Sequence, residues 1–237
     1  MRNIITFGGT PLSDFGLYNN GRSTYNAPAK DYTMVKITGK NGDLVFDNKR
    51  FENYDLTYPS CWIDENFETN IEALRAYLMS RNGYQRLSDT YHPNEFRMAV
   101  CKNALDIDVD MYNKHGTFDL VFNCKPQRYL ITGETQITLT EDGSITNPTQ
   151  FSSEPLIRFY GSGTVEIGDQ SISIANQNNL SFTDIDCEIK EAYHQTTSRN
   201  NSVSFSNYTF PVLKPGVNNI TLGGATKLVI TPRWWTI

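Results

Sequence analysis

The sequence predicts a mainly β chain in two domains, and three observations carry that expectation. Apolar and polar residues alternate with period two through most of the chain, Gly, Pro and Asn-Gly steps punctuate the runs, and a single segment has helical periodicity. The 237 residues are enough for two modest domains with their own cores. Apolar residues make up 38% and charged residues 20% of the chain, with Phe, Tyr and Trp at 12%. That balance is too apolar for a disordered chain and too polar for a membrane protein.

In chain order, Met34–Lys40 and Leu44–Asp47 read as strands flanking Asn41-Gly42-Asp43. An Asn-Gly step between β-rich runs predicts a tight hairpin, because both residues tolerate positive φ. From Asp64 to Arg81, Phe67, Ile71, Leu74 and Leu78 recur every three or four positions, which predicts a helix of about four turns docked on a sheet by one stripe. Thr69 and Glu72 have capping-box spacing, Asn66 and Asp64 are rival caps, and Arg81-Asn82-Gly83 supplies the stop. Phe96–Val100 and Thr117–Phe122 are further strands. Gly133–Thr149 mixes Gly, Thr, Asn and Pro, and the domain boundary is placed near its start, giving residues 1–135 and 136–237. Beyond it, short strands are expected at Leu156–Tyr160, Thr164–Ile167, Ser171–Ile174, Ile185–Lys190, Ser202–Phe205, Asn219–Leu222 and Lys227–Thr231. Regular short strands without helices predict an antiparallel sandwich.

The formal net charge of −5 argues against a nucleic-acid clamp, although it suits a conduit past which DNA slides. No apolar run approaches the roughly 20 residues of a spanning helix, and the first residues lack the segments of a secretory signal. The expectation is therefore a soluble protein made in a cytoplasm. Cys61, Cys101, Cys124 and Cys187 form no Cys-x-x-Cys pair and lie far in sequence from His92, His115 and His194, so they read as free thiols and not as a zinc site.

Motifs that carry chemistry are scarce. Gly-x-Ser-x-Gly, Gly-x-Gly-x-x-Gly and His-Glu-x-x-His are all absent, and Gly161-Ser162-Gly163 falls one residue short of the first. His194 reads as a loop residue. Asp106, Asp108 and Asp110 alternate with Ile107, Val109 and Met111, as on a half-buried strand with an acidic face, and Asp184, Asp186 and Glu188 repeat the pattern around Ile185, Cys187 and Ile189. Sequons at Asn179, Asn200, Asn207 and Asn219 reflect a composition rich in Asn, Ser and Thr. Trp234 and Trp235 are adjacent, so in a strand one points into a core and the other to a second surface.

Several of these features fall in order along the chain. Asn41-Gly42-Asp43-Leu44 with Asp47-Asn48, then Tyr58-Pro59, and the helix leading into Gly83-Tyr84-Gln85-Arg86-Leu87 come first. Phe122-Asn123-Cys124-Lys125-Pro126-Gln127-Arg128-Tyr129, Pro155-Leu156-Ile157 with Tyr160-Gly161-Ser162-Gly163, and Asp186-Cys187-Glu188 follow. Phe210-Pro211 with Leu213-Lys214-Pro215-Gly216, and Pro232-Arg233-Trp234-Trp235, complete the series. Over nearly its whole length the chain resembles the distal tail proteins of long, flexible-tailed bacteriophages.

The resemblance implies an N-terminal β-sandwich-like domain with one α-helix and a projecting hairpin, then a galectin-like antiparallel β-sandwich. It implies a non-enzymatic hub without cofactor or metal, a homo-hexameric ring in the virion tail tip, assembled in the host bacterial cytoplasm. The implied partners are the major tail (tube) protein, the tail-tip spike, and receptor-binding or baseplate proteins, with DNA only as passing cargo and no membrane insertion.

A head-to-tail contact closes into a ring when its rotation divides the circle. A two-stranded piece unstable alone would be fixed by lying on a neighbour. The expected ring contact is Lys40–Tyr54, chiefly Lys40, Asn41, Gly42, Asp43, Leu44, Phe46, Asn48, Phe51 and Tyr54. Asp106, Asp108 and Asp110 are expected to line the lumen, where they would repel passing DNA. The rival reading, a carbohydrate-binding module, requires exposed aromatics beside Asn, Arg or Glu on one concave face. A wall-degrading hydrolase would require two carboxylates converging in a cleft, roughly 5 to 9.5 Å apart.

Overall fold

The computed structural model describes residues 3–19, 26–63, 66–102, 108–109, 116–177 and 180–237. The chain is mainly β, and its contacts divide it into two compact units, Met1–Arg128 with Ile237, and Tyr129–Thr236.

The first unit is built on one curled sheet. Its path runs Thr10–Pro11, Ile5–Phe7, Gln85–Asp89, Glu95–Val100, Gly116–Leu130, Tyr54–Ile63, Leu17–Asn19, with the two-residue strand Asp108–Val109 also paired to Gly116–Leu130. An antiparallel bridge between Asn3 and Asn19 returns the last strand to the segment ahead of Ile5–Phe7, with Asn3 N donating to Asn19 O at 2.9 Å, so the sheet curls toward closure. Alternation sends Leu56, Tyr58, Cys61 and Ile63 of one strand, and Phe118, Leu120, Phe122 and Cys124 of its partner, into a shared core. Phe122 lies 4.8 Å from Phe7, ring to ring, and meets Tyr58 edge-on. The Tyr58 hydroxyl donates to Asp89 at 2.8 Å, and burial, followed by the Asp89 charge, pushes its pKa well above the usual value.

The helix spans Phe67–Met79, and the four residues on its predicted stripe are its buried ones. Its start differs from expectation. Asn66 occupies the N-cap position at φ 51° without a side-chain cap bond, and Thr69 lies inside the helix, so no Thr69–Glu72 capping box forms. Asp64 lies outside the described residues. The helix ends at Ser80, with Gly83 at φ 69° three residues on.

The second unit is an antiparallel two-sheet sandwich. Six strands run in the order Ile137–Leu139, Ala225–Thr231, Leu156–Gly161, Thr183–Asp186, Glu191–His194, Thr197–Ser198. Five run in the order Gly143–Asn147, Gly216–Thr221, Gly163–Ile167, Gln170–Ile174, Val203–Phe205. Ile157, Phe159, Ile185, Leu228 and Ile230 of the first sheet meet Val165, Ile167, Ile172, Ile174 and Ile220 of the second in one core. Two strands, Ile137–Leu139 and Gly143–Asn147, emerge from the Gly/Thr-rich stretch where no strand is predicted. Of the strand predicted at Ile185–Lys190 only Ile185 and Asp186 are strand, as the end of Thr183–Asp186. Residues 187–190 turn into Glu191–His194, so His194 belongs to a strand and not to a loop.

All four cysteines are free; Cys61, Cys124 and Cys187 are buried, and burial pushes each thiol up to about 12. They serve as small core residues. Trp234 is buried in the sandwich core, whereas Trp235 stacks on Phe151 at 4.4 Å with its Nε1 donating to Ser152 O. The Trp pair thus splits between two surfaces as alternation requires.

Candidate assembly surface

The hairpin of the first unit is a two-stranded sheet by itself, Lys30–Val35 paired with Leu44–Phe51. Its turn is wider than the sequence suggests. Val35 and Leu44 are the last paired residues, and residues 36–43 form the connection. Gly39 and Gly42 take positive φ, at 78° and 82°, while Asn41 does not. A two-residue type I′ turn needs positive φ at both central residues, so Asn41-Gly42 serves one bend of a longer loop, and Lys36–Lys40 are not strand.

Register assigns the ribbon's faces. Met34 is opposite Val45 and Tyr32 opposite Asp47; Val35 is opposite Leu44 and Thr33 opposite Phe46. Directly opposed residues share a face and neighbours along a strand do not. Tyr32, Met34 and Val45 therefore lie on one face, and Val35, Leu44 and Phe46 on the other. Both sets are exposed: Met34 by 59%, Val45 by 50% and Phe46 by 52%. A lone ribbon apolar on both faces has no core beneath it and must be covered to be stable.

Polar groups order the base. On the face of Phe46, Asn48 Nδ2 donates to Asp31 Oδ1 at 2.8 Å and to Thr33 Oγ1 at 3.1 Å, and Arg50 pairs with Asp31 at 3.4 Å. Lys49 takes φ 55° and its N–H is held by Asp47 Oδ1 at 2.7 Å. Asn53 then ties the ribbon's exit to Tyr84 and Asn123.

Of the residues expected at the ring contact, Lys40, Asn41, Gly42, Asp43, Leu44, Phe46 and Asn48 are exposed on this hairpin and Phe51 is half-buried at its base. Tyr54 stands apart. It packs against the core of the first unit, and its hydroxyl accepts a hydrogen bond from buried Arg97 Nε at 3.0 Å. Tyr32, Met34, Val35 and Ile37 are exposed apolar residues of the same ribbon that the sequence-based set omits. Their signal was present in the alternation of the first strand. Of the acidic triplet, Asp108 pairs with Thr117 in a two-residue strand, while Asp106 and Asp110 lie outside the described residues.

The second acidic pattern is not a solvated face. Asp184 is buried and held bidentate by Arg158 at 2.7 and 2.9 Å, and that guanidinium also lies over the Phe182 ring. Asp186 is buried and held bidentate by Arg233 at 2.6 and 2.8 Å, with the backbone N–H of Glu188 donating at 3.0 Å. These carboxylates are satisfied by cations, not aimed together into a cleft. Burial raises the Asp186 pKa, but Arg233 and the backbone donors outweigh it and hold the carboxyl below the usual range. A folded-state pKa below the unfolded one contributes stability above about pH 4, lost as pH falls through the folded value. Asp186→Asn is expected to cost about 2 kcal/mol at neutral pH and to flatten the acid limb of the stability profile, read by urea unfolding between pH 2.5 and 7. An unchanged acid limb would refute this linkage.

A groove of about 620 Å³ opens in the second unit beside Gly163, Thr164, Ser173, Asn176 and Ser204, and no aromatic side chain lines it. It therefore lacks the aromatic platform that the carbohydrate-binding reading requires. Among the described residues no group of three His, Cys, Asp or Glu side chains is placed to hold a metal ion, and no helix is long and apolar enough to cross a membrane.

No family model and no curated protein matches the chain by sequence. Solved structures do match. The fold is similar to that of the SPP1 Dit protein (gp 19.1), described as a paradigm of the hub adsorption apparatus in phages infecting Gram-positive bacteria. The TM-score is 0.76 at 14% identity, covering 99% of each chain. A chain of the phage P2 baseplate in its activated conformation with Ca is similar with a TM-score of 0.51 at 11% identity, covering 97% of this chain and 98% of that one.

Proposed function

We propose that this chain is a structural hub of a bacteriophage tail tip, and not an enzyme. In this reading it forms a hexameric ring in the virion that joins the tail tube to the spike and receptor-binding machinery and leaves a channel for DNA. The observation that carries the reading is end-to-end similarity to a hub protein, at a TM-score of 0.76 over 99% of both chains. At 14% identity that similarity is one of fold, so the function rests on a second support, the uncovered ribbon. A projecting hairpin with apolar residues on both faces suits a protein whose final environment is an assembly. The pairing of Asp184 with Arg158 and of Asp186 with Arg233 gives these carboxylates a structural role in the second unit.

The test is solution mass by light scattering after size exclusion. Six copies of 26.9 kDa give about 161 kDa, and a back-to-back pair of rings twice that. Either mass supports the ring. A mass of one chain at every concentration, with no ring on isolated tails by electron microscopy, removes it.

A further inference from the structure

We propose that the outer face of the curled sheet around Tyr18, Trp62 and Asp119 is the surface on which the hairpin of a second copy seats. The inference rests on the assembly reading above and adds to it the surface that receives the ribbon.

Register fixes which residues look outward. Tyr18 pairs with Trp62 and Trp62 with Thr117, while Thr57 pairs with Val121. Cys61, Ile63, Phe118 and Leu120 alternate with these residues and are buried in the core that the helix also enters. Tyr18, Trp62, Thr117, Asp119 and Val121 therefore share the opposite face. The solvent face of an antiparallel sheet is normally polar. Here two half-exposed aromatic rings stand 6.3 Å apart on the strands beside Thr117, and exposed Asp119 follows Thr117 on the same face of its strand, ahead of half-exposed Val121. Asp119 Oδ1 accepts the Ser60 N–H at 3.0 Å where the partner strand bulges, which fixes the carboxylate on this face.

Charge selects the occupant. Residues 30–52 carry five basic and four acidic side chains, a net charge of +1. The remaining 16 basic and 22 acidic residues give −6. The ribbon is thus the positive part of an acidic chain, and its exposed connecting loop carries Lys36 and Lys40 against a single Asp43. An apolar ribbon with a basic tip matches an aromatic face with an exposed carboxylate, and both surfaces are present on every copy. Opposed charges of this kind set register and partner choice. One face donating and a different face receiving is also the contact that closes a ring.

The test is a charge-reversal cycle in the full-length chain, read as assembled fraction at fixed concentration. Asp119→Lys, and Lys36→Glu with Lys40→Glu, are each expected to lower that fraction at least ~5-fold, and combining all three to restore most of it. Asp119→Asn, which keeps the acceptor for Ser60, is expected to weaken assembly less than Asp119→Lys while melting at the native temperature. Native assembly by both reversals, or no recovery in the combination, overturns the proposal. If the native chain assembles and hairpin variants dissociate it while Asp119→Lys does not, the receiving surface is wrong and the ring reading stands. A native chain that has the mass of one chain at every concentration and forms no ring on isolated tails overturns both.

Discussion

A chain carrying Met34→Asp and Phe46→Asp is expected to fold like the native chain and to remain monomeric. The two residues sit on opposite faces of the Lys30–Phe51 ribbon and are more than half exposed, so neither contributes to a core within one copy. Surface substitutions of this kind change stability by about ±0.5 kcal/mol. In an assembly the same positions would be desolvated, and a carboxylate without a partner in an apolar contact costs several kcal/mol. A loss of about 3 kcal/mol per contact weakens each contact more than 100-fold, and a closed ring suffers it at every contact. Thermal unfolding should therefore be unchanged while light scattering falls to the mass of one chain. The single variants add information: loss of assembly with either one means that both faces of the ribbon are covered. Retention of native mass by the double variant would refute the role assigned to the hairpin.

The parts of this architecture that were legible in the sequence are those determined locally. The stripe of Phe67, Ile71, Leu74 and Leu78 specifies one helical face with no knowledge of its partner, and these are the residues that the helix buries. Strands such as Glu95–Val100 and Ala225–Thr231 follow from alternation in the same way. Failures arose where a side chain or a partner far away decides. Alternation ran unbroken from Asp184 to Ile189, yet the strand stops at Asp186 because that carboxylate captures the N–H groups of Glu188 and Ile189 and bends the chain. Lys190 completes the turn at φ 59°.

Distance in sequence hid the rest. Arg158 and Arg233 neutralise Asp184 and Asp186 from 26 and 47 residues away, so an acidic stripe on paper became two buried ion pairs. Ile137–Leu139 is only three residues long and Gly143–Asn147 has a single large apolar residue, and both are held by pairing with Ala225–Thr231 and Gly216–Thr221, which no local window contains. For the candidate site, the turn residues Asn41 and Gly42 drew attention to the second strand, whereas the first strand carries an equal share of the exposed apolar surface.

Gly223→Ala is expected to be among the most damaging single substitutions in the second unit. The chain passes between the two sheets twice in one place. Residues 161–163 leave Leu156–Gly161 for Gly163–Ile167, and residues 222–224 leave Gly216–Thr221 for Ala225–Thr231. The crossings lie against one another, with Thr164 N donating to Gly223 O at 3.1 Å. A Cβ on Gly223 would stand 2.0 Å from Thr164 O, and one on Gly163 would stand 2.6 Å from Gly223 O. Both obstacles are backbone, so no side chain can swing aside. Gly223 also holds φ at 43° and Gly163 at 129°, conformations that disfavour a side chain regardless of space. Left-handed strain of about 1–2 kcal/mol adds to an overpacking cost of about 1–3 kcal/mol, for a total of about 2–5 kcal/mol. The same change at Gly168, where nothing lies within 4 Å of the added carbon, meets only the strain of φ 60° and should cost about 1–2 kcal/mol. Urea unfolding of the two variants separates close approach from dihedral strain. Equal losses at Gly223 and Gly168 would mean that the crossings yield, and that the two sheets are not pinned together at this corner.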